Sequence, residues 1–228
     1  MSKVVGLITA RSGSKGFPDK NIALLNGITL IDHAIIAGKS SSFIEELYIS
    51  TDSVVYEKIA VYAGAKSLGL RPESLASDSA RSIDVIKNFI EISGLNDEDI
   101  IVLLQPTSPV RTGKQIDSSV MLHQKDGESV ASVAMVDEPN PYKLKVIDEK
   151  NTLKPFIRCA DSEIPRQELP KIYQLTGGIY VSSVSNILKK GSLFSDNTLP
   201  LIVEDFCNVD SCLDLEFLKF RCERGLTW

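Results

Sequence analysis

The densest chemistry in the chain lies at residues 9–21, where Thr-Ala-Arg-Ser-Gly-Ser-Lys-Gly-Phe-Pro-Asp-Lys-Asn follows a short apolar run. Gly13 and Gly16 let the backbone turn tightly and bring its N–H groups close to an oxygen anion. Arg11, Lys15 and Lys20 supply the positive charge that a polyphosphate needs. The loop lacks the Gly-Lys-Ser/Thr ending of a Walker A motif and does not match G-x-G-x-x-G. Its place directly after a first strand is nevertheless where open α/β sheets bind ligands. The plain alternative is a solvated Gly/Ser loop.

Three further stretches carry functional side chains. Residues 71–82, Arg-Pro-Glu-Ser-Leu-Ala-Ser-Asp-Ser-Ala-Arg-Ser, have neither helix nor strand periodicity, and loops of this length in compact domains tend to be functional. Residues 105–111, Gln-Pro-Thr-Ser-Pro-Val-Arg, follow a continuous apolar run. Gln105 then stands at a strand's C-terminal end, where an amide can hold sugar hydroxyls, while Arg111 fits a loop brace as well as a site role. Asn208-Val-Asp210 comes just before the last helix-like segment. Asp52, after a second strand, fits an N-cap or a site role equally.

The strings Ala-Arg-x-x-Ser-Lys-Gly-x-Pro-x-Lys-Asn, Arg-Pro-x-x-Leu-Ala-x-Asp-x-Ala-x-Ser and Leu-Leu-Gln-Pro-Thr-Ser-Pro-x-Arg together resemble the signatures of the acylneuraminate cytidylyltransferases. This family holds the CMP-sialic acid synthetases and the related CMP-legionaminic and CMP-pseudaminic acid synthetases. The resemblance runs over nearly the full chain and implies that CTP and a nine-carbon 2-keto sugar acid give a CMP-sugar and pyrophosphate. It assigns Ala10, Arg11, Ser14, Lys15, Gly16, Lys20, Asn21, Arg71, Ala80 and Ser82 to the nucleotide. An arginine fork at Arg71 suits the O2 and N3 acceptors of cytosine. Gln105, Lys143, Arg166, Thr176, Tyr180 and Phe194 fall to the sugar acid. Mg²⁺ or Mn²⁺ is implied at Asp210 and Asn208, and Arg11, Lys20 and Asp210 carry the catalytic roles.

Two positions depart from the family. Thr176 replaces an amide expected to face the sugar, and Asn208 replaces an aspartate in Asp-x-Asp. An asparagine carbonyl is still an acceptable Mg²⁺ ligand, without the charge. The first expectation is a CMP-N-acetylneuraminate synthase; alternatives are CMP-legionaminic or CMP-pseudaminic acid synthases, then enzymes for the eight-carbon KDO. A catalytically silent nucleotide-sugar binding module is the rival from another class, and use of GTP or UTP is opposed only through Arg71.

Strand-like and helix-like segments must position these residues. Apolar runs at 4–8 and 100–104 read as buried strands, with others at 47–50, 65–68, 129–136 and 177–181. Helices are expected at 30–37, ending at Gly38, from 53 through 62, and along the Ile83, Ile86, Phe89, Ile90 stripe. Thr112 and Gln115 form a capping box for another, and Leu213, Phe217 and Phe220 mark one face of the last. This predicts an α/β fold with a mostly parallel central sheet and helices on both faces. The resemblance narrows it to the Rossmann-like nucleotide-diphospho-sugar transferase fold. Residues 1–136 and 174–228 form the expected core. Residues 137–173, with five prolines and weak periodicity, read as an insertion, which the resemblance makes a dimerisation subdomain of a homodimer.

With 228 residues, 43% hydrophobic content and a formal charge of −5, the composition is that of an ordinary globular protein. No basic tract suggests nucleic acid, and no apolar run approaches a membrane span. Four cysteines without a C-x-x-C pair read as reduced thiols of a cytoplasmic protein, and two histidines give poor support to zinc or a Ser-His-Asp triad.

Overall fold

The structure, a computed structural model, describes residues 2–14, 16–77, 79–136, 138–158 and 161–227. In chain order the strands are β1 (Val4–Ala10), β2 (Leu24–Leu25), β3 (Ile28–Thr29), β4 (Glu46–Thr51), β5 (Lys66–Ser67), β6 (Ile100–Leu103), β7 (Ser129–Val136), β8 (Lys145–Ile147), β9 (Leu153–Pro155), β10 (Ile172–Ser183) and β11 (Thr198–Ile202). The helices are α1 (Leu30–Lys39), α2 (Val54–Tyr62), α3 (Ser82–Ser93), α4 (Gly113–Asp126), α5 (Val184–Lys190) and α6 (Cys212–Glu223).

Seven strands form one sheet in the order β11-β7-β10-β6-β1-β4-β5, in which only β10 runs antiparallel to its neighbours. Alternate residues feed opposite faces. Val4, Ile8, Ile100 and Val102 pack against α1, α2 and α4, whereas Val5, Leu7, Ile101 and Leu103 pack against α3 and α5. Burial on both faces explains why β1 and β6 are uninterrupted apolar runs. The chain moves outward from β1 to β4 and β5, then crosses to β6 on the other side of β1. That reversal opens a crevice at the C-terminal ends of β1 and β6, the usual ligand position in such sheets.

Helix starts follow the sequence closely. Thr112 and Gln115 cap α4 reciprocally, and Ser211 with Asp214 does the same for α6. Two expectations need correction. Gly38 does not end α1, which continues to Lys39; a Cβ there would lie 2.9 Å from Leu47, so this glycine permits close helix–sheet approach. β10 begins at Ile172 and carries a bulge between Leu175 and Tyr180, rather than starting at the Gly-Gly pair. Leu213, Phe217 and Phe220 share a face of α6, but it is exposed; Leu215 and Leu218 make the buried contact, with Leu25, Leu30 and Val209.

Between β7 and β10 the chain forms an arm whose regular structure is the exposed β8–β9 hairpin and short turns at Pro141–Lys143 and Arg166–Glu168. Among the described residues no helix is long and apolar enough to cross a membrane, and Cys207, Cys212 and Cys222 are unpaired thiols.

Candidate active site

The loop after β1 is fastened from several sides. Asn21 Nδ2 donates to the Arg11 carbonyl at 2.9 Å, and Ser14 N–H to the Ser12 carbonyl at 2.9 Å. Ser12 donates through its N–H and hydroxyl to the two Asp52 carboxylate oxygens, at 3.0 and 2.7 Å. Tyr56 on α2 donates its hydroxyl to Asp19 at 2.9 Å. Burial opposes ionisation of Asp52, but the two Ser12 hydrogen bonds and the nearby Arg71 cation outweigh it and hold the carboxyl below its ordinary range. Asp52 is not the N-cap of α2, since Ser53 performs that task. Asp52 faces Arg71 Nη2 at 3.5 Å and gives the buried Arg71 a carboxylate partner.

A second loop, after β6, is fixed from beneath. Arg111, buried, donates through Nη1 to the carbonyls of Gln105, Ser108 and Gly178 at 2.8, 2.9 and 2.9 Å. Burial alone pushes its guanidinium down to about 9. Arg111 therefore braces the loop that carries Gln105 onto β10. Ser108 donates its hydroxyl to Asn208 Oδ1 at 2.7 Å, and Val209 N–H donates to the Thr107 carbonyl at 2.7 Å. Gly177 closes this junction with φ +73°, and a Cβ there would meet Ser108 Oγ at 2.6 Å. Only glycine satisfies both the backbone angle and the space.

These loops line two adjoining clefts. The first, about 260 Å³, takes Arg11, Ser14, Gly16, Lys20, Asn21, Gln105 and Asp210 among its walls. The second, about 220 Å³, takes Arg71, Ala80 and Ser82 and shares Thr9 and Arg11 with the first. Ala10 is buried at the end of β1 beneath them. Lys20 donates to Asp210 at 2.9 Å; the lysine side chain is 19% exposed and the carboxylate 76%. Ser211, not Asp210, caps α6, which leaves the Asp210 carboxylate facing the cleft.

Other candidates lie elsewhere. Thr176 is buried; its hydroxyl pairs with Ser132 Oγ at 2.6 Å and donates to the Ser132 carbonyl at 3.3 Å. Instead of facing a sugar, it stabilises the β10 bulge against β7. Tyr180 meets Phe194 edge-on at 5.9 Å, with Phe194 partly exposed. Lys143 and Arg166 are exposed on the arm, where Arg166 helps line a separate cavity of about 230 Å³. Lys15 lies outside the described residues. Ser108 was missed from sequence despite its place in a signature string, because its partner, Asn208, is a hundred residues away.

A divalent cation fits the oxygen chemistry here, though thinly. Asp210 offers an accessible carboxylate and Asn208 an amide oxygen already accepting from Ser108. No group of three or more His, Cys, Asp or Glu that could hold a metal occurs among the described residues. Mg²⁺ commonly binds through one or two protein oxygens and completes its shell with phosphates and water.

The profile of the cytidylyltransferase family matches residues 5–202. A CMP-N,N'-diacetyllegionaminic acid synthase of Legionella pneumophila is 36% identical, over 93% of this chain and 93% of its own length. N-acylneuraminate cytidylyltransferases of Streptococcus agalactiae and Escherichia coli are 34% and 33% identical over 86% and 94% of this chain. The chain spans 47% and 51% of those two relatives. A solved CMP-2-keto-3-deoxy-manno-octonic acid synthetase in complex with CTP shares the fold, with a TM-score of 0.75 and 17% identity over 98% of this chain and all of that one. The chain belongs to the cytidylyltransferases, in the acylneuraminate cytidylyltransferase family, with the nucleotide-diphospho-sugar transferase fold. It is a nucleotidyltransferase.

Proposed function

We propose that the protein joins CTP to a nine-carbon 2-keto sugar acid, giving the CMP-sugar and pyrophosphate. The observation that carries this reading is the convergence of Arg11, Ser14, Lys20, Gln105 and Asp210 on one cleft, with Arg71, Ala80 and Ser82 around its neighbour. The first cleft suits a triphosphate and sugar, and the second a base. The sugar's anomeric oxygen attacks the α-phosphorus in line; the bond to the bridging oxygen breaks, and pyrophosphate leaves. Charge gathers on that leaving group, so Arg11, Lys20 and the loop N–H groups supply the stabilisation. Asp210, with Asn208 beside it, would hold Mg²⁺, which would supply Lewis-acid stabilisation of the phosphate charge.

N-acetylneuraminate is the first acceptor expected. Diacetyllegionaminate is the second reading, favoured by the end-to-end match to the Legionella relative. The arm is proposed as a dimerisation subdomain on account of its exposed Ile147, Leu153 and Phe156, with Lys143 and Arg166 reaching a sugar carboxylate across the interface. Pyrophosphate release with CTP and Mg²⁺ against a panel of nonulosonic acids and KDO, with UTP and GTP controls, tests the reaction. Turnover with CTP and one nonulosonic acid is expected. CTP binding with no turnover on any acceptor would instead favour a silent binding module.

A further inference from the structure

Asp52 lies one residue past β4, the strand paired in parallel with β1 in the register Ala10↔Thr51. That register sets Asp52 beside the start of the phosphate loop. Both of its carboxylate oxygens accept from Ser12, and one also faces Arg71 Nη2 at 3.5 Å. Arg71 is tied at the same point through its backbone, its N–H donating to the Thr51 carbonyl at 2.9 Å. Arg11 lines both clefts, and its charge acts against that of Arg71. Two guanidinium groups on a shared wall repel, and a buried one without an anion is costly. The Asp52 carboxylate, 3.5 Å from Arg71 Nη2, supplies that anion for Arg71.

We propose that Asp52 is a positioning residue that couples the two clefts: one carboxylate sets the phosphate loop through Ser12 and the base-facing arginine through Arg71. The inference rests on the cytidylyltransferase reading above, with the base in the Arg71 cleft. It separates Asp52 from a group that merely stabilises the fold, because moving it disturbs base choice and phosphate holding together.

The test compares wild type, Asp52→Asn, Arg71→Met and the double variant for CTP and UTP turnover, and for pyrophosphate binding by calorimetry. Asp52→Asn is expected to raise the KM for CTP about tenfold and to lower the CTP-over-UTP preference about tenfold, with kcat changed less than about threefold. It also weakens pyrophosphate binding, whereas Arg71→Met alters base preference and leaves pyrophosphate binding intact. The double variant shows no further loss of base preference beyond Arg71→Met, the non-additivity expected of residues acting as a unit. Unchanged CTP-over-UTP preference in Asp52→Asn, or additive losses in the double variant, overturns the proposal. Should Asp52→Asn not fold, Ser12→Ala removes one hydroxyl donor only; pyrophosphate binding weakened about threefold supports the coupling, and unchanged binding overturns it. A wild-type protein that binds no CTP overturns the underlying reading, and this inference with it.

Discussion

Every residue of β6 is buried, whereas every residue of strands β8 and β9 is exposed. β6 sits between β1 and β10 with helices on both sides, so its loop enters the cleft at a fixed place. A two-stranded hairpin has no such support and is marginal on its own. Ile147, Leu153 and Phe156 are 68%, 68% and 61% exposed, an apolar surface of the kind that marks a contact site. The contrast divides the chain: the two adjoining clefts are lined by core residues alone, and the proposed dimerisation rests on the arm's exposed apolar side chains.

The hardest blow to the core side is chemical. Lys20→Ala should lower turnover at saturating CTP by about 10²–10³-fold, the scale of losing one preorganised charge-stabilising group. Its thermal stability should change little, because the Asp210 partner is mostly exposed. Pyrophosphate release and a melting curve measure both, and unchanged turnover removes Lys20 from the mechanism. Next in size, Leu7→Ala empties a fully buried position of β1 and should cost about 2–5 kcal/mol in a denaturant titration.

The arm should behave oppositely. Phe156→Asp is expected to leave the core's unfolding midpoint unchanged while shifting sedimentation from dimer to monomer. A fall in the core's midpoint comparable to Leu7→Ala would erase the distinction between the two regions. The smallest effect is at the far edge of the sheet, where Lys3, Lys66 and Tyr48 hydrogen-bond Glu46 and hold its carboxyl at about 2. A depressed carboxylate stabilises the fold above the ordinary carboxylate range and loses that contribution as pH falls toward about 2. Glu46→Gln should therefore cost under about 1 kcal/mol near neutrality, and the gap to wild type should close in titrations near pH 2.

The elements buried on two faces were the legible ones. β1 and β6 show as unbroken apolar runs, and the Thr112–Gln115 box marks where α4 starts. The cleft's cations and amide were legible because loops after such strands face the crevice. What escaped depends on pairings between distant segments. Asp52 gains its partners only once β4 lies beside β1, and Gly38 serves a helix–sheet approach that no local pattern reveals. The first half of β10 is mostly exposed and lacks a continuous apolar signal. On α6, helical spacing grouped Leu213, Phe217 and Phe220 correctly but could not tell an outer face from an inner one.

Lys20 and Asp210 meet across 190 residues of sequence. On the ribosome, where chains emerge from the N-terminus and domains fold as units, the loop carrying Lys20 is therefore made long before its opposing wall exists. A nascent chain halted before residue 210 has already made all seven strands of the central sheet, yet one side of the first cleft is still missing. Closure of the first cleft from both sides thus waits on a residue made 190 positions after Lys20.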